Sequence, residues 1–157
     1  MPSSDDIDLT AAVRAEIEGM HAFFVDWFRG SIAEDHALFD RELGARFVDG
    51  FRLIPPGGAN LSRDEILNGL RSGYGGSPGF AIQIRNTEVQ PALAPGIVLV
   101  TYEEWQHHAV NSTPPENGRL SSAILLPTGI KERPFRWRHV HETWLPAEVM
   151  RAGPYDF

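Results

Sequence analysis

From Leu9 to Arg29 the apolar residues Val13, Ile17, Met20, Phe23, Phe24, Trp27 and Phe28 recur at spacings of three and four, one face of a long helix. Asp8 or Thr10 is placed to cap its start, and Gly30 ends it. A shorter repeat of the pattern runs from Ala33 to Leu43, with Gly44 as a C-terminal glycine, so the first third of the chain reads as a helical hairpin. Phe47 to Ile54 alternates as a strand and stops at Pro55-Pro56-Gly57-Gly58, where the prolines lack amide donors. Ser62 and Glu65 have the spacing of a capping box and open a short helix through Ile66, Leu67 and Leu70.

Beyond the glycines at 73 to 79 the period changes to two. Strands are expected at Phe80–Val89, Ile97–Val110, Leu120–Leu126 and Phe135–Leu145. Pro91–Gly96, Ser112–Gly118 and Pro127–Pro134 separate them, all rich in turn-forming residues, which implies an antiparallel meander. Helices followed by a meander make an α+β domain, a cone of curved antiparallel sheet covered by about three N-terminal helices. The expected organisation is a flexible N-terminus at 1–8, one domain at 9–146 and a tail at 147–157, loose or docked on a partner.

Composition narrows the function more than it names it. The chain has 157 residues, a formal net charge of -7 and no cysteine. The charge argues against nucleic acid and anionic membranes, which need clustered Lys and Arg, and the missing thiols exclude disulfides, thiolate metal sites and a cysteine nucleophile. Acidic residues at 5, 6 and 8 are unlike a secretory signal, so a cytoplasmic location is the expectation. The run from Gly73 to Gly79 lacks the Gly-Lys-Ser/Thr ending of a phosphate loop.

The order helix, helix, strand, turn, helix and four long strands is similar to the nuclear transport factor 2-like superfamily. The last strand, Phe-Arg-Trp-Arg-His-Val-His-Glu-Thr-Trp at 135–144, resembles the aromatic-initiated His-x-His-x-Ser/Thr ending of SnoaL-like proteins and of the kinase II association domain. Residues 118–126 resemble the strand before it in those families. The resemblance spans residues 9–146. It implies a conical small-molecule pocket and a homodimer formed through the open sheet face. It does not imply one activity, because the same fold hosts isomerases, dehydratases, epoxide hydrolases, cyclases and non-catalytic adaptors. Where ketosteroid isomerases carry a basic aspartate, this chain has Leu53-Ile54-Pro55, which counts against that reaction.

Strand alternation puts Arg138, Val140 and Glu142 on one face of the last strand and Phe135, Trp137, His139, His141 and Thr143 on the other. The resemblance to ketosteroid-isomerase-like and kinase-association proteins turns the first set inward and the second toward a dimer partner. An inward Arg138 beside Glu142 can hold an anionic or hydroxylated ligand; the alternative is a mutually satisfied ion pair. Glu103 and Glu104 face opposite ways, so one of them, Glu104 with Tyr102, is the candidate for the cone, against a solvated glutamate as the alternative. The candidate catalytic residues are therefore Glu142, Arg138 and Glu104. Trp27, Phe39, Tyr74, Tyr102 and Val140 are the candidate ligand contacts, with Tyr74 as a lid. His139 and His141 lie about 6–7 Å apart on one face, a metal spacing only if His107 or Glu103 supplies a third ligand. No cofactor is expected. The function this supports is a small-molecule-binding domain acting on a small organic ligand, anionic or hydroxylated, by cofactor-independent acid–base chemistry of isomerase, dehydratase or hydratase type. The alternative is a dimerisation or adaptor domain.

Overall fold

The computed structural model describes residues 4–90 and 94–157, with side chains from residue 8 onward. Helix α1 spans Ser4–Arg29, so it begins several residues before the expected caps and takes in part of the segment expected to be flexible. Val13, Ile17, Met20 and Trp27 are buried along its apolar face. Gly30, at a φ of 69°, turns the chain with its N–H on the Trp27 carbonyl, and α2 follows at His36–Glu42. Asp35 caps α2 by accepting from the Ala37 and Leu38 amides, which shortens the helix relative to the expected Ala33 start. A 3-10 turn at Gly44–Arg46 leads into β1, Phe47–Ile54.

After the turn closed by Gly58 N–H to the Pro55 carbonyl, a two-residue strand β2 at Leu61–Ser62 pairs with β1. Helix α3, Arg63–Ser72, starts with the expected box: Ser62 N–H donates to Glu65 Oε2 at 2.7 Å and Glu65 N–H to Ser62 Oγ at 3.3 Å. The long strands are β3 at Ala81–Val89, β4 at Val98–His107, β5 at Asn117–Pro127 and β6 at Phe135–Trp144. Part of the expected Pro91–Gly96 turn lies outside the described residues.

One six-stranded open sheet results, in the order β2-β1-β6-β5-β4-β3. The meander from β3 to β6 is antiparallel as expected, while β1 joins at its side parallel to β6. Curvature comes from register shifts in β1, in β3 beside Asn86 at a φ of 50°, and in β6. The β6 shift decides what the cavity sees. Ile124 of β5 faces His139 and the next residue, Leu125, faces Trp137, so Arg138 is an extra residue bulged out of the ladder.

The core lies between α1 and the concave side of the sheet, where Val100, Tyr102, Ala123, Leu125 and Trp137 meet the helix face. A buried polar clasp locks this packing. Arg46 Nη1 pairs with Glu16 Oε1 at 2.6 Å, and the same oxygen accepts from Trp137 Nε1 at 2.9 Å. Trp137 is thereby fixed to the helix. Past β6, Leu145 N–H donates to the Gly118 carbonyl, helix α4 forms at Ala147–Ala152, and the tail folds back so that the Tyr155 ring lies 5.8 Å from Trp105 on the outer sheet face.

Candidate active site

Alternation along β4 points Tyr102, Glu104 and Gln106 to the concave side, and β5 and β6 bring Arg119 and Glu142 up beside them. These side chains form the polar end of a cavity of about 180 Å³ between sheet and helices. Its walls are apolar, supplied by Met20, Phe24 and Phe28 of α1, Phe47, Phe51 and Leu53 of β1, Ile66 and Leu70 of α3, and Phe80, Ile82 and Val140. A second space of about 170 Å³ shares Phe28, Phe80 and Gln106 with it and extends toward Ala109–Ser112.

His21 hangs from α1 into the same end. Its Nδ1 lies 2.7 Å from the Ile17 carbonyl, which can only accept, so Nδ1 carries a hydrogen. Nε2 then meets Glu104 Oε2 at 3.2 Å. A proton on that nitrogen too makes the contact an imidazolium–carboxylate pair. Burial opposes the charge on His21, but the charge and hydrogen bond of Glu104 outweigh it and raise the imidazole above its ordinary value. Glu104 is likewise buried, and the attraction of His21, Arg119 and Gln106 pulls its carboxyl down to about 2.

Glu142 is the opposite case. Burial and the nearby charge of Glu104 push it up to about 7, against the pull of Arg119, whose Nη1 donates to Glu142 Oε2 at 3.0 Å. The two carboxylates are 5% and 7% exposed, so Glu104 is not the solvated strand glutamate of the alternative reading, while Glu142 is in an ion pair, with Arg119 in place of the expected Arg138. A fixed network holds them: Gln106 Nε2 donates to Glu104 Oε1 at 2.7 Å, while Gln106 Oε1 accepts from Asn117 Nδ2 and Arg119 Nη2, both at 3.3 Å. Arg119 also donates to Asn117 Oδ1 at 3.2 Å and lies over the Trp144 ring at 5.1 Å. Burial pushes the Tyr102 hydroxyl well above its ordinary value, so Tyr102 stays neutral.

Of the candidates from the sequence, Glu142, Glu104, Tyr102 and Val140 come together around this cavity. Arg138 does not. The bulge turns it outward, where it is exposed and donates to the Gly50 carbonyl, while Trp137, expected to face a partner, turns inward. Arg119, absent from the candidates, takes the place beside Glu142. Trp27, Phe39 and Tyr74 lie outside the cavity. Between α1, α2 and the segment after α3, Trp27 packs against Phe39 at a tilt and edge-on against Tyr74, with Trp27 Nε1 donating to the Leu70 carbonyl and the Tyr74 hydroxyl to the Ile32 carbonyl, which ties Tyr74 down where a lid was expected. His139 and His141 face outward at mid-strand. His139 stands opposite Ile124, which pairs with Leu99, eight positions along β4 from His107, and Glu103 stands opposite Leu120, which pairs with Thr143; neither proposed third ligand converges on them. His21 is, with Glu16, one of two buried polar residues set into the apolar stripe of α1, four residues after Ile17 and three before Phe24, and that placement is the signal the sequence carries for it.

The architecture is that of the nuclear transport factor 2-like proteins, also described as cystatin-like. The solved structures it resembles include an NTF2-like protein of unknown function from Pseudomonas aeruginosa, 27% identical, covering 86% of this chain and 99% of that one at a TM-score of 0.73. A dehydratase candidate of the NTF2-like family from Streptomyces avermitilis matches at 14% identity and a TM-score of 0.64, over 92% of this chain and all of the other. Aln2 from another Streptomyces species matches at 19% identity and a TM-score of 0.58, over 98% of this chain and 99% of that one. No family model and no curated protein matches the sequence. No helix among the described residues is long and apolar enough to cross a membrane.

Proposed function

We propose that the cavity binds a small, largely apolar organic compound with one oxygen function at the Arg119–Glu142 end, and that the chain moves protons on it without a cofactor. The observation that carries this reading is the divergence of two buried carboxylates on one cavity floor, Glu104 drawn down to about 2 and Glu142 pushed up to about 7. Groups whose surroundings separate their proton affinities in this way are suited to distinct acid and base roles. At about 180 Å³ the space is below the roughly 300–1,000 Å³ of drug-sized sites, which fits a single-ring compound.

The chemistry best matched to these groups is proton abstraction next to a carbonyl, followed by isomerisation or loss of water. Glu142, near its midpoint at neutral pH, takes the α-proton as a carboxylate. The electron pair left on carbon moves into the carbonyl, and the oxygen gains charge next to the Arg119 guanidinium. In a dehydration the pair then returns to expel the β-hydroxyl, which takes the proton now held by Glu142 and leaves as water. The His21 imidazolium, kept charged by Glu104, adds positive potential beside the cavity. With Glu142 protonated, His21, Glu104, Arg119 and Glu142 together carry one positive charge, which also favours an anionic ligand.

A filled cone would have supported the adaptor alternative, and an open one supports ligand binding. The outer sheet face, with Leu120 at 40% exposure, is proposed as the seat of a second copy, and a monomer by sedimentation would refute it. The catalytic reading is tested by incubating the protein with single-ring ketones and β-hydroxy ketones in D2O and following α-deuteration and alkene formation by NMR. Catalysed exchange lost in Glu142→Gln is expected. Exchange unchanged in that variant, or absent with every compound, refutes the role.

A further inference from the structure

A second group of chemistry-bearing side chains sits outside the cavity, where β4 ends. His107 is the last residue of that strand and points to the outer face, since Gln106 before it points into the cavity. Regular alternation would send His108 to the opposite side. Instead, His108 adopts a φ of 53°, a left-handed conformation uncommon for a residue with a Cβ, and its ring comes to 3.8 Å from that of His107 between centroids. Glu116, in the turn before β5, reaches both. One of its oxygens accepts from the His108 N–H at 3.0 Å and lies 3.7 Å from His108 Nδ1, and the other lies against His107 Nδ1. A ring nitrogen of each histidine and a carboxylate oxygen all fall within 4.8 Å of one another.

We propose that His107, His108 and Glu116 bind a divalent transition-metal ion of the zinc class, separate from the cavity. Two imidazole nitrogens and one carboxylate oxygen form a donor set that suits zinc and its first-row neighbours, whereas magnesium and calcium favour oxygen alone. The strained residue is the one that brings the second imidazole to the first, so the backbone energy is spent on convergence. The site is open to solvent, with the three side chains 25%, 59% and 35% exposed, and an ion can enter without unfolding. Tyr155 stacks on His107 at 6.2 Å and Phe157 stands edge-on at 6.1 Å, an aromatic backing that fixes the first ring. The bound ion would tie together the end of β4, the turn before β5 and the C-terminal tail.

The test is calorimetric titration of the full chain, stripped with chelator, with zinc chloride and separately with magnesium chloride. One zinc per chain is expected, with magnesium bound at least tenfold more weakly. His108→Asn keeps a residue tolerant of the left-handed backbone, and Glu116→Gln keeps an acceptor for the His108 N–H. Each should weaken zinc at least tenfold while leaving the metal-free circular dichroism and melting temperature unchanged. The double variant His139→Asn, His141→Asn should bind zinc as the parent does. Absence of zinc uptake, magnesium bound as tightly as zinc, or zinc affinity within threefold of the parent in both His108→Asn and Glu116→Gln overturns the proposal, as does loss of zinc binding in the His139/His141 variant.

Discussion

Replacing Glu142 with glutamine keeps the shape of the side chain and removes its titration, which makes it a direct probe of the cavity's electrostatics. In the folded chain Glu142 retains its proton up to about 7, whereas in the unfolded chain a glutamate releases it near 4.5. Between those values the folded state binds more protons, so stability falls as pH rises; the contribution of this group is complete below 4.5 and gone above 7. The gap corresponds to about 3 kcal/mol, and sharing of the effect with Glu104 and Arg119 brings the expected difference to about 1–3 kcal/mol. A glutamine at this position accepts from Arg119 as the neutral acid does. The stability of Glu142→Gln should therefore match the parent below about pH 4, where both forms are protonated, and exceed it by that amount at pH 8. His21, whose raised proton affinity also erodes stability as pH rises, is common to both chains and cancels in the comparison to first order. Urea unfolding of the two proteins at several pH values, followed by tryptophan fluorescence, gives the measurement. A difference that is flat with pH, or one that falls between pH 5 and 8, would show that Glu142 is not held protonated by its surroundings.

Arg138→Ala removes an exposed side chain outside the cavity and should change unfolding free energy by less than about 0.5 kcal/mol in chemical denaturation, with no effect on ligand-induced thermal shifts. Gly118→Ala would place a methyl group 2.9 Å from both Leu145 Cδ1 and the Trp105 ring, and a loss of about 1–3 kcal/mol is expected from the same assay.

The parts of the fold legible in the sequence are those fixed by local chemistry. The stripe of α1, the Ser62–Glu65 box and the turn-bounded strands follow from residue spacing, because each depends on neighbours a few positions away. The pairing of β1 parallel to β6 does not, since nothing within either segment encodes a partner some 90 residues distant. The same limit divides the site. Glu104, Tyr102, Val140 and Glu142 are legible because alternation holds through β4 and the end of β6. Arg138 is misplaced by periodicity because a bulge is set by how β6 must bend over β5, and the spacing of residues carries no mark of it. Arg119 looks like an ordinary strand residue until the sheet brings it against a carboxylate, whereas the place of His21 in the apolar stripe marks it as buried without naming the carboxylate it meets. Trp27 and Phe39 show the converse, aromatic residues at helical spacing that serve as core, with Tyr74 packed against them from the segment after α3.

The bulge at Arg138 also separates two jobs that a regular strand would have to share. Before it, Phe135 and Trp137 anchor the strand to the helix layer; after it, Val140 and Glu142 furnish the cavity. Were Arg138 instead taken into a regular ladder, strict alternation would force one half or the other to rotate: either the anchoring aromatics swing out to water, or the carboxylate leaves the floor. The spare residue thus absorbs an odd spacing, so that Trp137 and Val140, three positions apart, both look into the concave side, one to hold the helix and the other to line the open space.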